Sequence, residues 1–134
     1  MILKPIPPLQ DQIKTIIELY SNGQIEEALD NVEALTKDNS NEPLLYNISG
    51  ACYARLGQLD SAVKRYEKAI AIKPDYAEVL NNLGNALKRL GQLDAAIRDL
   101  EKAIAIKPNY AEAHYNLGDT LQKLGQLDTS VRSY

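Results

Sequence analysis

Gly57-Gln58-Leu59-Asp60 returns as Gly91-Gln92-Leu93-Asp94 and again as Gly125-Gln126-Leu127-Asp128, each time 34 residues further along. Downstream of the first copy, Lys68-Ala69-Ile70-Ala71-Ile72-Lys73-Pro74 recurs letter for letter as Lys102-Ala103-Ile104-Ala105-Ile106-Lys107-Pro108. The same interval joins Gly23 to Gly57, Gly50 to Gly84 and Gly118, and Ala28 to Ala62, Ala96 and Ser130. A fixed period of this length marks stacked copies of one supersecondary unit. The register divides the chain into residues 9–42, 43–76, 77–110 and a partial copy, 111–134, behind a Pro-containing lead at 1–8.

Within a copy the apolar spacing is helical. Leu80, Leu83, Leu87 and Leu90 lie at i, i+3, i+7 and i+10, and Leu93, Ala96/Ile97, Leu100 and Ala103/Ile104 repeat that stripe after a break. Such spacing lays apolar side chains along one helix face and is incompatible with period-two strands. Each copy is therefore read as two amphipathic helices, A and B. Asn41, Asp75 and Asn109 are expected to cap helix A, with Glu78 and Glu112 completing box-like ends. Gly23, Gly57, Gly91 and Gly125 are expected to turn A into B, where a left-handed residue is needed. Pro74 and Pro108 end helix B. Gly50, Gly84 and Gly118 are expected to face Ala62, Ala96 and Ser130, letting the paired axes approach closely.

These features resemble the tetratricopeptide repeat (TPR) family. Ala77 to Gly84 is similar to the opening of its motif, and Ala96, Leu100, Ala103 and Pro108 match its later signature positions. Tyr46, Gly50, Tyr53, Ala62, Tyr66, Ala69 and Pro74 do the same in the second copy. The first copy departs from the pattern, with Ile16 at the helix-A glycine and Ser40 at the closing proline. The resemblance implies an all-α, right-handed superhelical solenoid of antiparallel helix pairs, its concave groove lined by A helices. It also implies a scaffold that binds an extended peptide or a partner helix in that groove, and no enzyme. The alternatives it leaves are the N-terminal substrate-positioning segment of a larger glycosyltransferase, sulfotransferase or methyltransferase, and a self-assembling scaffold.

Composition narrows the chemistry. The 134 residues carry a net charge of −3, which disfavours non-specific nucleic-acid binding. One cysteine, Cys52, and one histidine, His114, leave no Cys-based zinc site and no cofactor or metal motif to propose. Cys52 reads as a small buried residue and His114, at the large-aromatic position of helix A, as a partly buried one. No apolar run reaches the ~20 residues of a membrane span, and the lead does not read as a secretory signal, so a soluble, cytoplasmic protein is expected.

Outward positions of the A helices are the candidate groove residues: Asn47, Arg55, Asn81, Asn82, Asn85, Lys88, Arg89, Tyr115, Asn116, Asp119 and Lys123. Asn82 and Asn116 are equivalent, and they are similar to the asparagine ladder of O-linked N-acetylglucosamine transferase superhelices. An amide supplies both donor and acceptor and can read a peptide main chain. Arg55, Arg89 and Lys123 form a basic row suited to an acidic peptide, although cations at a helix C-terminus also answer the helix dipole. The chaperone-adaptor subclass clamps a terminal carboxylate with Lys, Asn and Arg. That set is absent, because Ile13, Ile17 and Glu78 stand where its residues belong.

The last copy breaks off within helix B, which is expected to start near Leu127. Leu117, Leu121, Leu124, Leu127, Val131 and Tyr134 are then expected to fray or to be covered by a second molecule, making this end a self-association surface.

Overall fold

The computed structural model describes residues 5–132, with side chains described through residue 129. These residues form seven α-helices and no strand: α1 (Leu9–Ser21), α2 (Ile25–Asp38), α3 (Pro43–Arg55), α4 (Leu59–Ile72), α5 (Ala77–Arg89), α6 (Leu93–Ile106) and α7 (Ala111–Arg132). The starts of α3, α5 and α7 fall 34 residues apart. Each helix packs on its neighbours in sequence. In addition the backbones of α1 and α3, of α3 and α5, and of α5 and α7 come close, whereas those of the even-numbered helices do not approach one another. The odd helices thus occupy the inner, tighter side of a curved stack, and the even helices splay along the outside.

Gly23, Gly57 and Gly91 adopt φ of 82°, 78° and 81°. At each, the glycine N–H reaches the carbonyl three residues back and the next N–H the carbonyl five back, as in Gly57 to Ala54 and Gln58 to Tyr53. This is the Schellman arrangement, which closes a helix by satisfying its last carbonyls. Gly125 behaves otherwise. It lies inside α7, and the reversal expected there does not occur. Turning would give up helical hydrogen bonds that only a well-packed second helix restores. α7 instead continues through Gly125 to Arg132.

Two further expectations are corrected. The residues before α3 and α5 in cap position are Glu42 and Tyr76, one step beyond Asn41 and Asp75, and neither makes a side-chain cap bond. The turn is closed by backbone instead, with the Tyr76 N–H donating to the Lys73 carbonyl and the Tyr110 N–H to that of Lys107. The tyrosine rings at these joints sit beneath the Lys73 and Lys107 ammonium groups at 4.8 and 4.5 Å. Gly50 and Gly84 lie closest not to the alanine but to the larger side chain one turn later, and Ser130, expected to face Gly118, lies outside the described side chains. A Cβ on Gly50 would lie 2.5 Å from the Tyr66 ring, and one on Gly84 2.6 Å from Leu100 Cγ. Ala62 and Ala96 are fully buried in the same core.

The core runs through the stack as linked clusters. Ile13, Ile16, Val32, Leu45, Ile48 and Cys52 fill the first, and Tyr46, Tyr66, Val79, Leu83 and Leu87 the second. Leu80, Ala103 and Ala113 carry it on to α7.

Candidate functional site

The inner face is built by the polar residues of α3, α5 and α7. Along this face, Asn82 Nδ2 donates to Asn47 Oδ1 at 2.9 Å, and Asn116 Nδ2 donates to Asn81 Oδ1 at 2.9 Å. The two bonds are equivalents of each other one repeat apart, each joining residues 35 apart on successive A helices. Asn47 and Asn82 are half-buried. Asn81 and Asn116 are buried, at 1% and 7% exposure, which corrects the expectation that these two point outward. Asn81 Nδ2 is buried, with no close hydrogen bond among the described residues. The nearby Tyr110 phenol is pushed up by burial and then by Glu112 and Glu78, with Asn81 opposing. Tyr76 is raised in the same way, by burial and then Glu78, with Asn47 opposing.

The charged candidates are also cross-braced. Lys88 is largely buried and its Nζ lies 2.8 Å from Asp119 Oδ2, tying α5 to α7. That hydrogen bond holds the Asp119 carboxyl below the usual carboxylate range. Lys123 lies 3.8 Å from the same oxygen. The Arg55 guanidinium sits 5.1 Å over the Tyr20 ring, and Arg89 Nη1 approaches the Ala54 carbonyl at 3.5 Å. Tyr20 and Ala54 are equivalent positions one repeat back from the arginine that reaches them. Most residues singled out as ligand readers are therefore partners of each other across repeat boundaries. Asn85 is half-exposed with no side-chain partner among the described residues, and Tyr115, equivalent to Asn47 and Asn81, is 74% exposed.

Two residues elsewhere refine the sequence reading. His114 is exposed rather than partly buried. Its equivalents Tyr46 and Leu80 are covered by α4 and α6, and no described helix plays that part for α7. Its Nε2 pairs with the Pro108 carbonyl at 2.7 Å, the same reach of six residues by which the Tyr46 hydroxyl donates to Ser40. Cys52 is fully buried, and burial, reinforced by Glu33, pushes its thiol up to about 11. It is a protonated core residue at neutral pH.

One network was not anticipated. Glu33 on α2 accepts from the Ser49 hydroxyl of α3 at 2.5 Å and from Arg65 Nη2 of α4 at 2.7 Å. The signal was present, because Ser49 stands where later repeats have Leu83 and Leu117. The equivalents of Glu33 and Arg65 in the next repeat are Glu67 and Asp99, two acids. The Asp99 carboxyl is pushed up, mainly by burial, with Lys102 and Arg98 opposing and Glu67 adding to the rise.

A family profile described as a TPR repeat matches residues 50–91 and again 84–125, together more than half of the chain. The chain belongs to the TPR repeat family. Among curated proteins it is similar to the peroxisomal targeting signal receptor of Candida glabrata, 30% identical over 64 residues, which is 48% of this chain and 11% of the receptor. The chain thus spans about a tenth of that receptor's length. Among solved structures it superposes on the Sgt2 TPR domain of Aspergillus fumigatus with a TM-score of 0.87 at 20% identity, covering 93% of this chain and 84% of that one. It also superposes on the first TPR of Spaghetti (RPAP3) bound to the HSP90 peptide SRMEEVD, with a TM-score of 0.84 at 23% identity, covering 87% and 92%. At these identities the structural likeness speaks for the fold. No described helix is long and apolar enough to cross a membrane.

Proposed function

We propose that this chain is a protein-interaction module whose inner face holds an extended peptide. The observation that carries this is the row of inner-face side chains fixed across repeats by the Asn47–Asn82, Asn81–Asn116 and Lys88–Asp119 contacts. A surface held in place before binding loses little side-chain entropy when a ligand arrives. Asn85, Tyr115 and the exposed Arg55, Arg89 and Lys123 are the groups offered to that ligand. The cations suit an acidic segment. The similarity to the transferase asparagine ladder enters through Asn82, which is half-buried where Asn116 is buried, although both amides donate to an asparagine of the preceding repeat. A clamp for a terminal carboxylate is not part of the reading, because Ile13 is buried in the first cluster and Glu78 adds negative charge. Relatives that are receptors and peptide-bound repeats favour this over a substrate-positioning segment of a transferase, and a non-enzymatic role follows from it.

The test is selection of arrayed peptides on the chain, followed by titration of the best binder against Asn85→Ala/Tyr115→Ala. Binding should weaken at least tenfold with the thermal midpoint nearly unchanged, since exposed polar changes usually cost within ~0.5 kcal/mol. Equal binding by the variant, or no peptide selected, removes the proposal.

A second reading, self-association through the C-terminal end, is favoured by one specific observation. Leu121 and Leu127 are 49% and 56% exposed, while their equivalents Leu87 and Leu93 are 6% and 7% exposed. Leu117 and Leu124 are half-buried beside them, and Val131 and Tyr134 lie outside the described side chains.

A further inference from the structure

Residues 57–74 and 91–108 are near copies, and five of these eighteen aligned positions differ. Two of the five, Val63 against Ile97 and Tyr66 against Leu100, are swaps at covered positions that pack. The other three set Ser61, Lys64 and Arg65 against Ala95, Arg98 and Asp99. Ser61, Lys64 and Arg65 all line one cavity of about 320 Å³, which Lys68 and Tyr53 complete. It lies beside α4, one of the helices splayed along the outside of the stack.

The lining is rich in donors and short of acceptors. Arg65 Nη2 pairs with Glu33 at 2.7 Å, and its other N–H groups meet no acceptor among the described residues. Neither Lys64 nor Lys68 has a carboxylate within ion-pair distance among those residues. The Lys68 ammonium lies 5.4 Å over the Tyr46 ring instead. The Ser61 and Tyr53 hydroxyls make no hydrogen bond among the described residues. Three cations are thus answered by one carboxylate, Glu33. The neighbouring copies lack this arrangement. Equivalent positions hold Leu87, Ala95, Arg98, Asp99 and Lys102 in the third repeat, and Leu19, Glu27, Asp30, Asn31 and Ala34 in the first. A general need for solubility or helix stability would be met alike in each copy. Concentration of the change at one cavity points to a ligand of the second repeat.

Two unpaired ammonium groups, spare guanidinium N–H groups and two hydroxyls suit a phosphate monoester, which brings a charge of about −2 and three acceptor oxygens. Three cations fall short of the roughly four to eight that hold a protein on an anionic membrane surface. A nucleic acid needs a longer positive track, and the chain's net charge is −3. We propose that this cavity receives the phosphorylated side chain of a partner polypeptide. The site is separate from the inner face, so either reading can fail without the other.

The test follows amide NMR shifts of the 134-residue chain during titration with a short blocked peptide carrying one phosphoserine. The same peptide with serine or glutamate in that place is titrated beside it. The phosphopeptide should shift the amides of Tyr53 and of residues 61–68 saturably, and the other two should bind at least tenfold more weakly. Lys64→Gln/Lys68→Gln alters two exposed side chains and should weaken phosphopeptide binding at least tenfold with the helical signal kept. Ser61→Ala, the third repeat's own letter, should act in the same direction and decides alone if the double variant fails to fold. Asn85→Ala/Tyr115→Ala, on the inner face, should leave this binding unchanged. No saturable shift, equal binding of the glutamate peptide, or phosphopeptide binding that survives the lysine changes intact overturns the proposal. Retention on phosphatidylserine vesicles without a response to the phosphopeptide also overturns it, and assigns the charge to a membrane.

Discussion

Asn116 Nδ2 lies 2.9 Å from Oδ1 of Asn81, in a buried bond that joins α7 to α5 across one repeat boundary. A neutral side-chain bond in such a place contributes little net energy while intact, yet breaking it leaves a buried polar atom unpaired. Among the described residues Asn81 Nδ2 has only the nearby Tyr110 phenol to turn to. The pair is therefore a point where the solenoid is intolerant of change, and this differs from a ligand-reading role for Asn116.

Asn116→Ala should cost ~1–3 kcal/mol, because it strands the Asn81 oxygen in the protein interior. Asn82→Ala, at the half-buried equivalent bond, should cost less, since water can reach Asn47. Urea unfolding of both variants measures the difference. Equal and negligible losses would show that the asparagine bonds contribute nothing to the inner face.

The period of 34, the helix pairs and the left-handed glycine turns were legible because backbone demands leave letters behind. Gly57 and Gly91 are glycines for a reason that no other residue meets cheaply. The fate of Gly125 was not legible, although Gly125 to Asp128 repeats the letters of Gly57 to Asp60. The turn depends on what the returning helix can bury, which local letters do not encode. The same limit applies inside helix A. Helical spacing puts Asn81 and Asn82 side by side off the apolar stripe, but contact between successive odd helices buries one and leaves the other half-exposed. The Gly50 and Gly84 notches were recognised as close approaches with the wrong partner named, because the filler lies one helical turn beyond the alanine.

Asp99 gives a pH-dependent expectation. Its pKa is raised in the folded chain, chiefly by burial. The folded state then holds the proton more tightly than the unfolded chain, and stability falls as pH rises from the ordinary carboxylate value, ~3.9, through the raised one. The penalty is complete at neutral pH and absent in acid. Asp99→Asn should accordingly raise the thermal midpoint at pH 7, and the gain should fade toward pH ~3.5. A gain that is constant across this range would assign the effect to packing rather than charge.

The continuity of α7 makes two glycines with the same flanking letters respond with opposite signs. Gly57 has φ of 78°, and an alanine forced into that region costs roughly 1–2 kcal/mol. Gly125 lies within a helix, where replacing glycine by alanine gains ~0.5–1 kcal/mol through reduced freedom of the unfolded chain. Gly57→Ala should thus lower, and Gly125→Ala raise, the urea midpoint and the helical signal, measured at one fixed protein concentration so that any association contributes equally. Because the alanine at 125 favours the straight helix, it should also strengthen whatever contact that helix makes with a second copy. Should Gly125→Ala instead lose stability as Gly57→Ala does, the chain turns at Gly125 in solution. Helix B of the fourth repeat would then fold back on its own helix A.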